Sequence, residues 1–294
     1  MTWQLTLAGL LVGVLVGATG MGGGSLMTPL LVLVFGFKPA VAIGTDIVHG
    51  ALFKTFGAIR HRQLGNVQAR LSGWMLVGSA PMSLAGVALA TWLSHRNGSD
   101  QHSTSGRVLG AALLLGGLGL VAKSLIRLRK VPDVQFDMSS RDRIAAVAIG
   151  TFGGFIVGLT SVGSGVFFAL TLLIVFPLRA QKVVGTDIFH GAALLWVAGS
   201  GHIVAGNVDA STVGWLLVGS IPGVLIGSQL TLRLPEPLLR LALAAVLVLS
   251  GLQLVKAPPG VVAPVLLVAA LGVTLAARNH FRRVQIPAER APSS

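Results

Sequence analysis

GTDIVHGA, Gly44 to Ala51, returns as GTDIFHGA, Gly185 to Ala192, an offset of 141 residues. The same offset aligns GATGMGGG from Gly17 with GLTSVGSG from Gly158, and GNV from Gly65 with GNV from Gly206. It also aligns GWMLVGSAP from Gly73 with GWLLVGSIP from Gly214. Between Gly17 and Gly86 no gap is needed and about 28 of 70 positions are identical, which chance does not give. Arg107–Lys123 resembles Arg240–Lys256 once a loop is deleted from the second half. The chain therefore reads as a first repeat (1–126), a polar cytoplasmic linker (127–143), a second repeat (144–256), an extra apolar helix (259–278) and a cytoplasmic tail (279–294).

The composition places these repeats in a membrane. Of 294 residues, 53% are hydrophobic and only 11% charged, about half the charged share of a soluble domain. Long apolar stretches alternate with short basic loops. The net charge of +13 would suggest nucleic acid in a soluble protein. Here it sits in loops without interleaved aromatics, so the positive-inside rule and anionic lipid explain it, and no nucleic-acid partner is expected. Cysteine is absent, so there is no disulfide framework and no thiolate metal site. The first apolar stretch lacks a basic n-region and an A-x-A-like site, and is read as a retained span.

Five apolar segments fall in each half: Trp3–Thr19, Ser25–Phe37, Val41–Ile59, Leu71–Leu93 and Gly106–Ile126, then Ile144–Thr160, Val166–Leu178, Val183–His202, Thr212–Leu232 and Leu238–Val255. Val261–Ala277 follows. Most reach the roughly 20 residues a span needs, but the second of each half, about 13 residues long, does not. Arg60, Arg62, Arg70, Arg127, Arg129, Lys130, Arg179, Lys182, Arg233 and Arg278 all follow odd-numbered segments. This charge bias puts the N-terminus outside and the C-terminus in the cytoplasm. Five segments per half is odd, so the halves face opposite ways. Arg60, Arg62 and Arg70 align with Gly201, Ile203 and Ser211, so the basic loop of one half is uncharged or acidic (Asp209) in the other. The expected fold class is all-α: a polytopic helical membrane protein of two inverted-topology repeats, with short broken helices after Gly-rich motifs.

Gly20–Ser25 and Thr160–Gly165 interrupt apolar runs at matching places. Consecutive glycines weaken helix, and non-helical backbone survives in a membrane only where protein buries it or it lines a cavity. A helix restarting there offers backbone N–H groups to an anion. Close packing through small residues is the plainer alternative. Two interruptions in corresponding places favour binding. The candidate substrate-binding residues are Gly22, Gly23, Gly24, Ser25, Thr45, Gly163, Ser164, Gly165 and Thr186.

Asp46 and His49 are three apart, as are Asp187 and His190, so each pair shares a helix face. Ionisable residues within spans are costly and mark function, which makes these four the candidate proton-coupling groups. The Gly-Thr before each Asp also resembles a helix start, where Thr45 or Asp46 would only cap free N–H groups. An intramembrane metal site is the weaker rival, because no further carboxylate completes a shell. Lys54 aligns with Leu195 and is expected to snorkel to the cytoplasmic side, with an anion-attracting role there as the lesser alternative. His61 and His202 are expected at interfaces. Trp74 and Trp215 read as interface anchors, and Pro81 and Pro222 as kinks.

The doubled order of glycine cluster (Gly22-Gly23-Gly24), short segment with Pro29, Gly44-Thr45, then Gly65-Asn66-Val67 resembles the TauE/SafE family, the sulfite exporter or toluenesulfonate uptake permeases. The resemblance covers nearly the whole chain. It implies a carrier in the bacterial inner membrane for sulfite, organosulfonates or related small oxoanions. One departure is Gly-Thr-Asp, in both halves, where many relatives have Gly-Thr-Ser. An ionised Asp would repel an anion, so the departure fits a carboxyl that couples a proton to the anion.

The expected function is thus a secondary transporter for a small sulfur oxoanion, using a midplane site between the repeats. The alternatives are an intramembrane metal-binding protein and a passive anion channel. No nucleophile constellation or phosphate loop argues for an enzyme, and no cofactor is implied. Oligomeric state stays open, a homo-oligomer included.

Overall fold

The computed structural model describes residues 2–19, 24–96, 104–125, 136–230, 236–258 and 260–264. Among them it contains ten α-helices and no strand. The first half holds α1 (Thr2–Thr19), α2 (Gly24–Leu33), α3 (Pro39–Gln63), α4 (Ala69–Arg96) and α5 (Thr104–Leu125). The second holds α6 (Ser140–Thr160), α7 (Phe167–Val175), α8 (Ala180–Val204), α9 (Ala210–Leu230) and α10 (Glu236–Leu254). Each anticipated segment of the two halves is a helix. The expected extra helix and tail lie outside the described residues apart from a helical stretch at 260–264, as do linker residues 127–135. Five helices, α4, α5, α6, α8 and α9, are long and apolar enough to cross a membrane. At about 1.5 Å per residue, α2 and α7 reach only some 15 Å, half a bilayer core.

Local chemistry sets the boundaries. α6 starts four residues before the apolar run because Ser139 and Asp142 form a capping box. The Asp142 N–H donates to Ser139 Oγ (3.2 Å) and the Ser139 N–H to Asp142 Oδ2 (2.9 Å). α3 ends at the first GNV motif: Gly65 takes φ 69°, and the Asn66 and Gly65 amides donate back to the carbonyls of His61 (3.0 Å) and Arg62 (3.1 Å). α8 ends identically at Gly206, φ 72°, with Asn207 and Gly206 donating to His202 (2.9 Å) and Ile203 (3.0 Å). The glycine of each GNV is thus the left-handed residue of a Schellman stop.

The halves are interlocked rather than side by side. The most extensive packing pairs α1 with α9, α4 with α6, α5 with α10 and α3 with α8, each crossing between halves. α1 and α9 run parallel: a Cβ on Gly219, Gly223 or Gly227 would meet the backbone of Thr6, Leu10 or Val14 respectively. α4 and α6 repeat this with Gly150, Gly154 and Gly158 against Met75, Ser79 and Ser83. Sequence counterparts run antiparallel. Along α3 and α8, a Cβ on Gly50 would lie 3.1 Å from Leu195, one on Gly57 3.2 Å from Ile188, and one on Gly199 3.3 Å from Val48. Along α5 and α10, Gly110 faces Gly251 while Gly117 faces Ala244 and Val248.

Two apolar cores result, and neither follows the sequence repeat. One gathers Leu5, Val12, Met27, Leu31, Leu113 and Leu247, from α1, α2, α5 and α10, with Leu216 of α9. The other gathers Ile47, Met75, Val157, Phe168, Leu172 and Leu194, from α3, α4, α6, α7 and α8. The outward faces are apolar too, with Leu7, Leu11, Val77, Leu84, Leu115, Leu118, Ile221 and Leu225 exposed, as lipid contact requires. Trp74 and Trp215 are partly exposed at the starts of α4 and α9, and the Arg143 guanidinium lies 5.7 Å from the Trp74 ring.

Candidate functional site

The repeated GTD-x-x-HG motif lies well inside its helix. α3 begins at Pro39, with Pro pre-set for the first helical position, and α8 at Ala180. Thr45, Asp46, Thr186 and Asp187 are therefore not helix caps, and the capping alternative is corrected. All four are buried, as are His49 and His190.

Most of the motif reaches into the opposite half, and each reach has a counterpart. The Thr45 hydroxyl accepts the backbone N–H of Asp209 (3.0 Å), and Thr186 accepts that of Gln68 (2.9 Å). A Cβ on Gly44 would strike the carbonyl of Asn207, and one on Gly185 that of Asn66. His49 Nε2 and Ser220 Oγ share a hydrogen bond of 2.9 Å, as do His190 Nε2 and Ser79 Oγ, also 2.9 Å. The glycine lets the partner GNV loop approach, the threonine holds its amide, and the histidine bonds a serine of α9 or α4. The two histidines serve separate serines on separate helices.

The carboxylates differ. Asp46 Oδ2 accepts hydrogen bonds from Thr28 of α2 and from Ser161 (2.8 Å), while its buried Oδ1 has no partner among the described residues. At the positions matching Thr28 and Ser161 the repeat carries Ala169 and Gly20, so Asp187 cannot be held by the same two hydroxyls. Ser161 belongs to the second interruption. Residues 161–166 are not α-helical, with Ser161 at φ 62°, Gly163 at φ 123° and Gly165 at φ 110°, and all six are buried. Positive φ explains the glycines, and burial in protein is what a membrane demands of such backbone.

Lys54 and His202 depart from expectation. Lys54 does not snorkel to an interface: it is 4% exposed, and its Nζ donates to Ser164 Oγ (2.8 Å) and the Ser164 carbonyl (3.3 Å) inside the interruption. Gly191 of α8 makes room, since a Cβ there would sit 3.4 Å from Nζ. His202 is fully buried, with Nε2 3.1 Å from the Gly158 carbonyl, because its face of the last α8 turn packs against α6.

The second-half candidates Gly163, Ser164 and Gly165 thus come together with Asp46 and Lys54 of the first half. Of the first-half candidates, Gly22 and Gly23 lie outside the described residues, and Gly24 and Ser25 are described only as the start of α2. Sequence reading missed Thr28, Ser79, Ser161 and Ser220 as partners. Ser79 and Ser220 carried a signal, both closing the repeated GWxLVGS motif. Thr28 carried none, its counterpart being alanine. Among the described residues no group of three His, Cys, Asp or Glu is placed to hold a metal ion.

The family model described as "Sulfite exporter TauE/SafE" matches residues 5–254. The chain is similar to the "Probable membrane transporter protein YjnA" of Bacillus subtilis (strain 168), 35% identical over 260 residues, covering 87% of this chain and 100% of that protein. It is also similar to the "Probable membrane transporter protein YdhB" of the same organism, 28% identical over 248 residues, covering 83% and 96%. No solved structure matches the chain.

Proposed function

The chain belongs to the sulfite exporter TauE/SafE family of membrane transporters, and from that premise we propose that it is a secondary carrier for a small sulfur oxoanion such as sulfite or an organosulfonate. The anion site lies between the repeats near the membrane midplane. The observation that carries this reading is the buried, non-helical turn at 161–166, which meets ionisable residues of the other half inside the protein. Gly163, Ser164, Gly165 and the matching first cluster, Gly22 to Ser25, supply N–H and hydroxyl donors. Thr45 and Thr186 add hydroxyl donors, since a hydroxyl that accepts from a loop amide still has a hydrogen to give. Asp46, His49, Asp187 and His190 carry protons or shape the cavity, so that proton movement drives the anion. The protein sits in the bacterial inner membrane, N-terminus outside and C-terminus in the cytoplasm, with its halves inverted. The antiparallel course of α3 against α8, and of α5 against α10, supports that inversion. The chain is a carrier and not an enzyme.

Proteoliposome flux of radiolabelled sulfite and toluenesulfonate under an imposed pH gradient tests the reading. Saturable, gradient-stimulated uptake with counterflow is expected. Asp46→Asn and His49→Ala are expected to lower gradient-driven flux at least about 10-fold, as loss of an acid–base group does. Conductance without counterflow would indicate a channel instead, and undiminished flux in both variants would remove the assigned proton roles.

A further inference from the structure

Lys54, the one buried lysine among the described residues, has leucine as its counterpart in the other half. α3 and α8 exchange equivalent seats across their crossing. A Cβ on Gly50 would lie 3.1 Å from Leu195 Cδ1, and one on Gly191 3.4 Å from Lys54 Nζ. Gly50 and Gly191 are counterparts, and so are Lys54 and Leu195. Leucine satisfies the packing of one seat, so packing does not require a cation in the other. A lysine ammonium taken out of water is costly unless paired, and the fold keeps it at 4% exposure. Its hydrogen bonds go to two neutral oxygens of Ser164. Gly191, whose Cβ would sit 3.4 Å from Nζ, shares a face of α8 with Asp187 four residues before it, and Asp46 lies on Lys54's own helix. Close by, Asp46 Oδ1 is buried without a hydrogen-bond partner among the described residues.

We propose that Lys54 is the cation that binds the transported oxoanion, and that the anion takes it from Asp187 in exchange for a proton. This rests on the carrier reading above and adds to it a named ligand, a competitor and a coupling rule. Among the described residues, the charged and titratable groups near Lys54 are Asp46 on its own helix, and Asp187 and His190 on α8. The turn at 161–166 offers it only Ser164. With both carboxylates ionised the cluster carries one surplus negative charge, and an entering anion would make the surplus two. Uptake of one proton by the Asp187 carboxylate as Lys54 turns to the anion restores the balance. When the anion leaves, the proton leaves and Lys54 again faces an ionised Asp187 from its seat on Ser164. The single cation also gives one anion site for two repeats, on the side of the pseudo-symmetric seat that holds lysine.

Equilibrium binding of radiolabelled sulfite and toluenesulfonate to purified protein tests the proposal, with toluenesulfonate preferred for pH work because its own charge is constant from about pH 5 to pH 8. Lys54→Leu, which copies the counterpart seat, is expected to stay folded and monodisperse and to weaken toluenesulfonate binding about 100-fold, while Lys54→Arg stays within about 10-fold of wild type. Asp187→Asn removes the competitor. It is expected to bind toluenesulfonate about 10-fold more tightly near neutral pH and to flatten the tightening seen in wild type as pH falls, a gain that structural damage would not produce. If wild type binds and Lys54→Leu stays within about twofold of it, or if Asp187→Asn weakens binding at every pH, the assignment of Lys54 is overturned while the carrier reading stands. If wild type binds and transports neither probe, the carrier reading for this anion class fails and the Lys54 proposal with it.

Discussion

Thr45 shows how one hydroxyl ties the two halves together. Its hydroxyl accepts the Asp209 amide across the boundary between halves, and Thr186 does the same for Gln68. Valine keeps the shape and removes the acceptor, leaving an N–H facing apolar surroundings. Thr45→Val is therefore expected to cost about 1–3 kcal/mol of stability, and Thr186→Val a similar amount. Thermal unfolding of the purified variants measures this, and unchanged midpoints in both would mean that the threonines do not hold the loops. The motif was legible because it is repeated, and repetition drew attention to Thr45, Asp46 and His49 together. It could not reveal that Thr45 and His49 spend bonds on Asp209 and Ser220, since partners about 170 residues away leave no local trace. Lys54 was misplaced for a related reason. A lone lysine near the end of an apolar run fits snorkelling, and only the crossing of α3 with α8, opened by Gly191, keeps it inside.

At the scale of elements, glycine is the packing surface. α1 with α9 and α4 with α6 lie so close that backbone touches backbone at Gly219, Gly223, Gly150 and Gly154. Glycine to alanine in an ordinary helix stabilises by about 1 kcal/mol, so the sign of the substitution reports the contact. Gly73→Ala and Gly214→Ala, where a side chain would meet nothing within 4 Å, are expected to raise stability by up to about that amount. Gly150→Ala and its counterpart Gly9→Ala, which would strike the carbonyls of Met75 and Leu216, are expected to lower it by about 1–3 kcal/mol. Denaturation in detergent distinguishes the sets, and equal shifts in both would contradict the close crossings. Helix existence was readable from apolar runs, because a span must be continuous. Which glycines face another helix was not, since Gly73 and Gly78 look alike in sequence and only one abuts a neighbour. The start of α6 at Ser140 was missed because hydropathy ignores a polar capping box.

For the whole molecule, the repeat was plain in the sequence and the interlocking was not. Identity at a fixed offset shows that the halves are alike, yet it cannot show that α1 prefers α9 to its own half. Each apolar core draws helices from both repeats, so the cores and not the repeats are the packed units. Thr28 with Asp46 and His49 with Ser220 are bonds between helices of different cores. Orientation offers the sharpest test. Gln63 and Val204 are counterparts, both exposed at the C-terminal ends of α3 and α8. Those helices run antiparallel, so the two residues lie at opposite ends of the bundle. The chain has no cysteine, which makes single introduced thiols unambiguous. In intact cells an impermeant maleimide is expected to label Val204→Cys, and to label Gln63→Cys, beside Arg60 and Arg62, only after the membrane is opened. Labelling of both from one side would contradict a membrane-spanning antiparallel pair and with it the proposed inversion of the halves. The reverse pattern would keep the inversion and turn the whole protein over.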